Sequence, residues 1–226
     1  AGVRTLVGHH RRHHAAVAQL KSLLESGAIG QPLLASMIWA MKKPDAYFDV
    51  PWRSTAQGSP VLINLVHEVD LLRFLFGEII HVSGFGSRNV RGRHNIESGG
   101  VTLGFCGGRV ATIAFSDAAP SPWAFEAGTG ENSNIATTGQ DHLRIVGTAG
   151  AVEFPSLTVW SGANDWSQPP SPVVHAAEGD APLVAQLNHF AEVIAGRAEP
   201  LVDAEEGRKS LEQTLKIERV LAETAH

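Results

Sequence analysis

The spacing of apolar residues changes along this chain, and each change marks an element. From Ala15 to Ser26 (AAVAQLKSLLES), Val17, Leu20, Leu23 and Leu24 recur at helical intervals, and the run stops at Gly27, a residue suited to a left-handed cap. Leu33 to Met41 (LLASMIWAM) reads as a strand. Lys43 and Pro44 then open an irregular segment, DAYFDVPWRSTAQGS, whose aromatic and turn-forming residues are common in loops that line sites. Ser59 as N-cap and Pro60 at the first helical position predict a second helix, running to about Phe76 and closed by Gly77.

Beyond Gly77 the period shortens. Ile79–Arg88, Ser98–Cys106, Arg109–Phe115, His142–Val146, Val152–Phe154 and Leu157–Trp160 are short β-branched or alternating runs separated by turns, the pattern of an antiparallel sheet. Ala118 to Gln140 is polar and glycine-rich, a long excursion over that sheet. The chain ends helically, from Ala181 to Ala195 and from Asp203 to Thr224, where Asp203 and Glu206 stand like a variant capping box. Segregated strands and helices predict an α+β fold: an open, mainly antiparallel β-sheet with helices packed on one face.

Composition narrows the function classes. An apolar share of 43% in 226 residues suits a packed globule, and a net charge of -5 argues against a nucleic-acid partner. No apolar run approaches the ~20 residues of a membrane-spanning helix. The one cysteine, Cys106, forbids an internal disulfide and a cysteine-rich zinc site, which fits a reducing, cytoplasmic setting. The chain starts at Ala1 rather than Met, so a preceding segment is compatible with it.

Two stretches carry candidate chemistry. VGHHRRHH packs four histidines and two arginines into six positions. It reads as a metal site, as an exposed basic corner, or as a strand (Val3 to Val7), a turn at Gly8 and a helix that form the tail of an α/β domain. The central arginines and the lack of nearby Cys, Asp or Glu weigh against metal. In SPVLINLVHEVDLLRFLFG, Leu62, Leu65, Val66, Val69, Leu72 and Phe76 form one apolar arc, while Ile63, Leu71 and Phe74 flank Asn64 and His67 on the other. A helix apolar nearly all round is buried on two sides, which puts His67 at a boundary between layers. Asp70, three residues after His67, is spaced to orient its imidazole for acid–base work; equally, Asp70 stands three residues before Arg73 and is spaced for an ion pair that leaves His67 structural.

Four motifs in order add a resemblance: VGHHRRHH with a helix ending SGAIGQPL; Trp39, Lys43, Pro44, Tyr47, Phe48, Trp52 and Arg53 in the spacing WAxxKPxxYFxxxWR; GSPVLINLVHEVDLLRFLFGE; and PLVDAEEGRKSLE. In these the chain resembles the Gfo/Idh/MocA oxidoreductases, which include glucose-fructose oxidoreductase and inositol dehydrogenase. The resemblance implies a two-domain enzyme in which a Rossmann domain carries NAD or NADP. Residues 1–14 would be that domain's last strand and crossover, and 15–226 the substrate-binding and oligomerisation domain. No G-x-G-x-x-G occurs, the nearest approaches being GFGSRN at Gly84 and GTGENS at Gly128, so no cofactor is expected on this chain alone. The family's Glu-Lys-Pro motif is also absent.

By resemblance, His67 is the catalytic base for a secondary alcohol. The aspartate often found four residues earlier in the family is Ile63 here, with Asn64 beside it to bind a sugar hydroxyl. Lys43 and Asp70 join it as substrate-binding candidates, with Asp70 orienting His67. Trp52 and Arg53 are placed against cofactor, and Arg12 near the nicotinamide side of the cleft. The expected partners are a polyol-like substrate and further copies of the chain, paired through the sheet as a homodimer or homotetramer. The alternative is a non-catalytic ligand-binding or assembly module of the same fold.

Overall fold

The computed structural model describes residues 3–92 and 94–225. In chain order its longer elements are α1 (Ala15–Glu25), β1 (Pro32–Ala40), α2 (Val66–Phe76), β2 (Ile79–Ser87), β3 (Ser98–Phe105), β4 (Val110–Ser116) and α3 (Phe125–Thr129). These are followed by β5 (Leu143–Gly147), β6 (Gly150–Phe154), β7 (Thr158–Ser161), β8 (Ser171–Val174), α4 (Pro182–Ile194) and α5 (Ala204–Thr224). The strands form one eight-stranded sheet in the order β2-β3-β4-β1-β5-β6-β7-β8. β1 runs parallel to β4 and antiparallel to β5, and the remaining neighbours are antiparallel. The sheet is thus mixed but mainly antiparallel, within the α+β class read from the pattern.

Alternation along the strands divides the two faces. Ala35, Met37 and Trp39 of β1, Ala111, Ile113 and Phe115 of β4, and Leu143 and Ile145 of β5 turn inward. There they join Val17, Leu20 and Leu24 of α1, Val69, Leu72 and Phe76 of α2, and Ile217 and Leu221 of α5 in one core. Area removed from water there, at about 25 cal/mol per Å², is the main favourable term holding the helices to the sheet. The opposite face is open: Leu34 pairs in register with Val110 and Val146, and the three remain 45%, 41% and 37% exposed.

α5 lies across β2 so closely that a Cβ on Gly86 would stand 2.8 Å from the Leu221 carbonyl oxygen. This contact explains the glycines of GFGSRN: they admit a helix to a strand rather than shape a phosphate-binding turn. Asp203 begins α5 as expected, its Oδ1 accepting from the Glu206 amide at 2.8 Å. No helix of the described residues is long and apolar enough to cross a membrane.

Three features differ from the pattern. Val3 to Val7 form no strand: the Val7 amide donates to Val202 O at 2.9 Å instead of to a sheet neighbour, and His10–His13 then make a 3-10 turn. β8 escaped the pattern because its four residues, SPVV, are all exposed at the sheet edge and show no alternation. The 118–140 excursion contains α3, anchored by the fully buried Ala124 and Phe125.

Candidate functional site

The predicted 60–76 helix is two structures in one. Val61–Leu65 form a π-helical turn, and α2 follows from Val66. Ser59 still caps the start, its Oγ accepting from the Val61 amide at 3.1 Å. A π turn shifts the register of the side chains after it and is frequent at functional sites. Here it faces Ile63 and Asn64 into two adjoining cavities of about 420 and 760 Å³.

The smaller cavity is lined by His10, Arg11, His67, Glu126, Glu131 and Ser133, among others; the larger by Lys43, Tyr47, Ala127, Ile135 and Thr138, among others. Ile63, Asn64 and Asn132 belong to both, so they form the partition. The structure therefore brings together His67, Asn64 and Lys43 of the expected site residues. His67 stands edge-on to two other rings, with centroids 5.8 Å from His9 and 5.5 Å from His10. Its Nδ1 and the Asn64 Oδ1 are enclosed without hydrogen-bond partners among the described residues. Burial, then Arg11, His10 and His9, push the His67 imidazole down to about 3, so the ring is neutral at physiological pH.

Lys43 Nζ lies 3.6 Å from Asp117 Oδ2 and 4.9 Å from the Tyr47 ring centroid. Burial holds its ammonium below the usual lysine range despite that carboxylate. A desolvated cation at the cavity wall is equipped to meet an electronegative oxygen.

Asp70 is not part of this cavity. Its carboxylate accepts from Arg12 Nε and Nη2 at 2.9 and 2.7 Å and from Ser210 Oγ at 2.7 Å, with His9 Nδ1 at 3.8 Å. Asp70 does not orient His67, nor does it pair with Arg73, which donates instead to Ser210 Oγ and Glu78. A guanidinium fork that matches both carboxylate oxygens outcompetes either neighbour on the helix. Arg12 is committed to the same pair and reaches Glu206 at 3.2 Å, so it is enclosed rather than facing either cavity. Trp52 is 48% exposed, and Arg53 stacks over Tyr47 at 4.2 Å while donating to the Tyr47 carbonyl at 3.1 Å. That contact anchors the loop.

The residues that sequence reasoning missed are Arg11, Glu126, Glu131 and the role of His10. Arg11 lies against the Phe125 ring at 4.0 Å and donates to Glu68 at 2.5 Å and Glu126 at 2.9 Å, with Glu131 at 3.4 Å. Trp39 Nε1 donates to the second Glu126 oxygen at 3.1 Å. Burial opposes the Arg11 charge, but the three carboxylates outweigh it and hold its pKa above the usual arginine value. Burial pushes the Glu68 carboxyl up to about 7. It also opposes the charge on Glu131, yet the His10 hydrogen bond and Arg11 keep that carboxyl below its usual range. A signal for this cluster was present: Glu68 and Asp70 on a helix apolar nearly all round require cationic partners, and RR in the opening stretch supplies them.

The four histidines of HHRRHH diverge. His9 faces Asp70, His10 meets Glu131 at 3.0 Å, His13 lies by His189, and His14 Nδ1 accepts from the Ala16 amide at the start of α1. Among the described residues no group of His, Cys, Asp and Glu is arranged to hold a metal ion. Neither glycine-rich stretch forms a strand-to-helix turn of the kind that cradles phosphates. The glycines of GFGSRN lie within β2, and those of GTGENS close α3, where Gly130 is the left-handed cap.

The chain is similar to known proteins in sequence and in fold. The profile of the GFO/IDH/MocA C-terminal domain matches residues 17–153. Inositol 2-dehydrogenase of Acidothermus cellulolyticus is 43% identical over 95 residues, 41% of this chain and 24% of that protein. Inositol 2-dehydrogenase of Mycolicibacterium gilvum is 38% identical over 76 residues, 33% of this chain and 19% of that protein. The aldose-aldose oxidoreductase of Caulobacter crescentus, solved with glycerol, has the same fold, with a TM-score of 0.74 at 20% identity over 98% of this chain and 63% of that one. The chain thus spans less than two thirds of the solved relative, and the aligned stretches a quarter or less of the two dehydrogenases.

Proposed function

The chain belongs to the GFO/IDH/MocA C-terminal domain family, and on that premise we propose that it forms the substrate-holding part of an NAD(P)-dependent oxidoreductase acting on a sugar, cyclitol or related hydroxylated small molecule. The observation that carries this reading is the pairing of Asn64 with His67 on one wall of the smaller cavity, each with one polar atom enclosed and the other left for a ligand. Asn132, Ser133 and Glu131 add polar groups, while Ile63 and Leu183 add apolar ones. Such a mixture suits a ring with hydroxyls at its edge and C–H bonds on its face. The relatives named inositol 2-dehydrogenase favour a cyclitol.

In oxidations of this class a nicotinamide dinucleotide accepts the hydride. The phosphate-binding turn this requires lies outside the present residues, which bind and orient the alcohol. His67 meets the reacting oxygen, Asn64 holds a neighbouring hydroxyl, and Lys43 takes an oxygen in the larger cavity. Residues 1–14 serve as the crossover from a nucleotide-carrying domain, and 15–226 as the substrate and oligomerisation domain. The exposed row Leu34, Val110 and Val146 supports pairing of copies through the open sheet face. A cytoplasmic setting accords with the lone Cys106.

The test is a titration of the isotope-labelled chain with myo-inositol and, separately, with NADH. Backbone amides of residues 63–67 and 131–133 shift saturably with myo-inositol, and NADH leaves them unchanged. A folded chain whose cavity residues respond to no cyclitol or aldose, or that binds NADH tightly, contradicts the proposal.

A further inference from the structure

His10 and His67 line the same cavity, yet their ring nitrogens are committed in opposite ways. In His67, Nδ1 is enclosed without a partner among the described residues. An enclosed lone pair is tolerated better than an enclosed N–H, so the neutral ring keeps its hydrogen on Nε2 and presents a donor to the cavity. In His10, Nε2 stands 3.0 Å from Glu131 Oε2. An ionised carboxylate only accepts, so this nitrogen carries the hydrogen, and in the neutral ring Nδ1 is left with a free lone pair. Arg11 Nε, 3.4 Å from the other Glu131 oxygen, holds that carboxylate in position.

We infer that the two histidines divide the work on a ligand hydroxyl: His10, oriented by Glu131, receives the hydroxyl proton on Nδ1, while His67 donates its Nε2–H to the hydroxyl oxygen. The inference rests on the polyol reading above and moves the role of base from His67 to His10. The O–H bond breaks with its electron pair left on oxygen, where the His67 donor stabilises it. A new N–H bond forms on His10 Nδ1, and Glu131 offsets the charge the ring gains. His67 suits the donor role because its burial beside Arg11, His10 and His9 makes it a weak base. His10 is then a catalytic residue and Glu131 a positioning residue, and the carboxylate that the helix lacks at Ile63 arrives from the segment after α3.

Long-range proton–nitrogen spectra of the histidine rings in the chain, with and without myo-inositol, test this directly. The free chain shows both His10 and His67 as Nε2–H tautomers, and myo-inositol moves the His10 Nδ1 resonance into the hydrogen-bonded range. In Glu131→Gln the amide can donate as well as accept, so the His10 ring becomes a mixture of tautomers, and affinity for myo-inositol falls several-fold while the melting profile holds. Should that variant lose its fold, the wild-type spectra still decide. His67 found as Nδ1–H, or a His10 Nδ1 unmoved while the Asn64 and His67 amides respond to myo-inositol, overturns the division of roles and leaves the polyol reading standing. No response anywhere in the cavity removes both.

Discussion

Arg11 and Arg12 are neighbours in sequence, and both are buried, but their surroundings have opposite characters. Arg12 grips Asp70 through two matched hydrogen bonds, with Ser210 completing the acceptor, and makes one further bond to the half-exposed Glu206. Around Asp70, charge and geometry are matched and closed to solvent. Arg11 meets Glu68, Glu126 and Glu131 at once, an excess of negative charge beside a cavity; burial, added to by Glu126 and Glu131, raises Glu68, and Glu131 is shared with His10. A balanced buried pair fixes the packing of α2 and α5. An unbalanced cluster next to open space gathers perturbed titratable groups where a ligand can reach them, in keeping with the proposed hydroxylated ligand.

Substitution separates the two surroundings, most strongly at the cavity. In the proposed full-length oxidoreductase, His67→Ala lowers kcat by ~10² to 10³, the range for loss of a donor to an oxygen on which charge develops; steady-state kinetics on protein of unchanged melting profile check it, and unchanged turnover per folded molecule makes His67 structural. Arg12→Met leaves Asp70 buried without its cation and destabilises the fold by about 3–5 kcal/mol, read from urea unfolding. A loss below about 1 kcal/mol would mean that the pair behaves like an exposed one.

Glu68→Gln has a smaller effect that depends on pH. The Glu68 carboxyl is raised from 4.5 to about 7 in the folded chain. Its contribution is therefore complete below pH 4.5 and is lost as pH rises through about 7. His67 and His142, both lowered to about 3, act in the other direction: their contributions are present above pH 6.5 and are lost as pH falls toward about 3. The readout is thus the difference between wild-type and variant stability curves. It varies by on the order of 1 to 3 kcal/mol over the Glu68 window, and a flat difference shows that Glu68 is an ordinary ionised partner of Arg11. The smallest change is at the exposed Trp52, where Trp52→Ala alters stability by less than about 0.5 kcal/mol. Urea unfolding checks this; if Trp52 also faces cofactor, the complete enzyme shows a raised KM for dinucleotide.

Local pattern carried most of the fold, because each strand from β1 to β7 alternates or is β-branched and each long helix has a stripe and a cap. It failed for β8, where four exposed residues at an edge have no stripe to reveal, and for Val3 to Val7, where an apolar run docks on Val202 and α5 rather than pairing. That Asn64, His67 and Lys43 line the cavities accords with the local motifs that carry the resemblance, each of which lies within one stretch of chain. Asp70 was misread for the same reason: spacing on one helix offered His67 and Arg73, whereas the actual partner, Arg12, arrives from another part of the chain. Glu131 stood in a polar excursion among several similar residues, and only the fold brings it to His10.

If a polyol sits in the smaller cavity against His67, a crystal structure of the protein with a bound cyclitol will show a hydroxyl oxygen within hydrogen-bond distance of His67 Nε2, with Asn64 on a neighbouring hydroxyl. A cyclitol bound elsewhere, with His67 turned from it, would remove the proposed site.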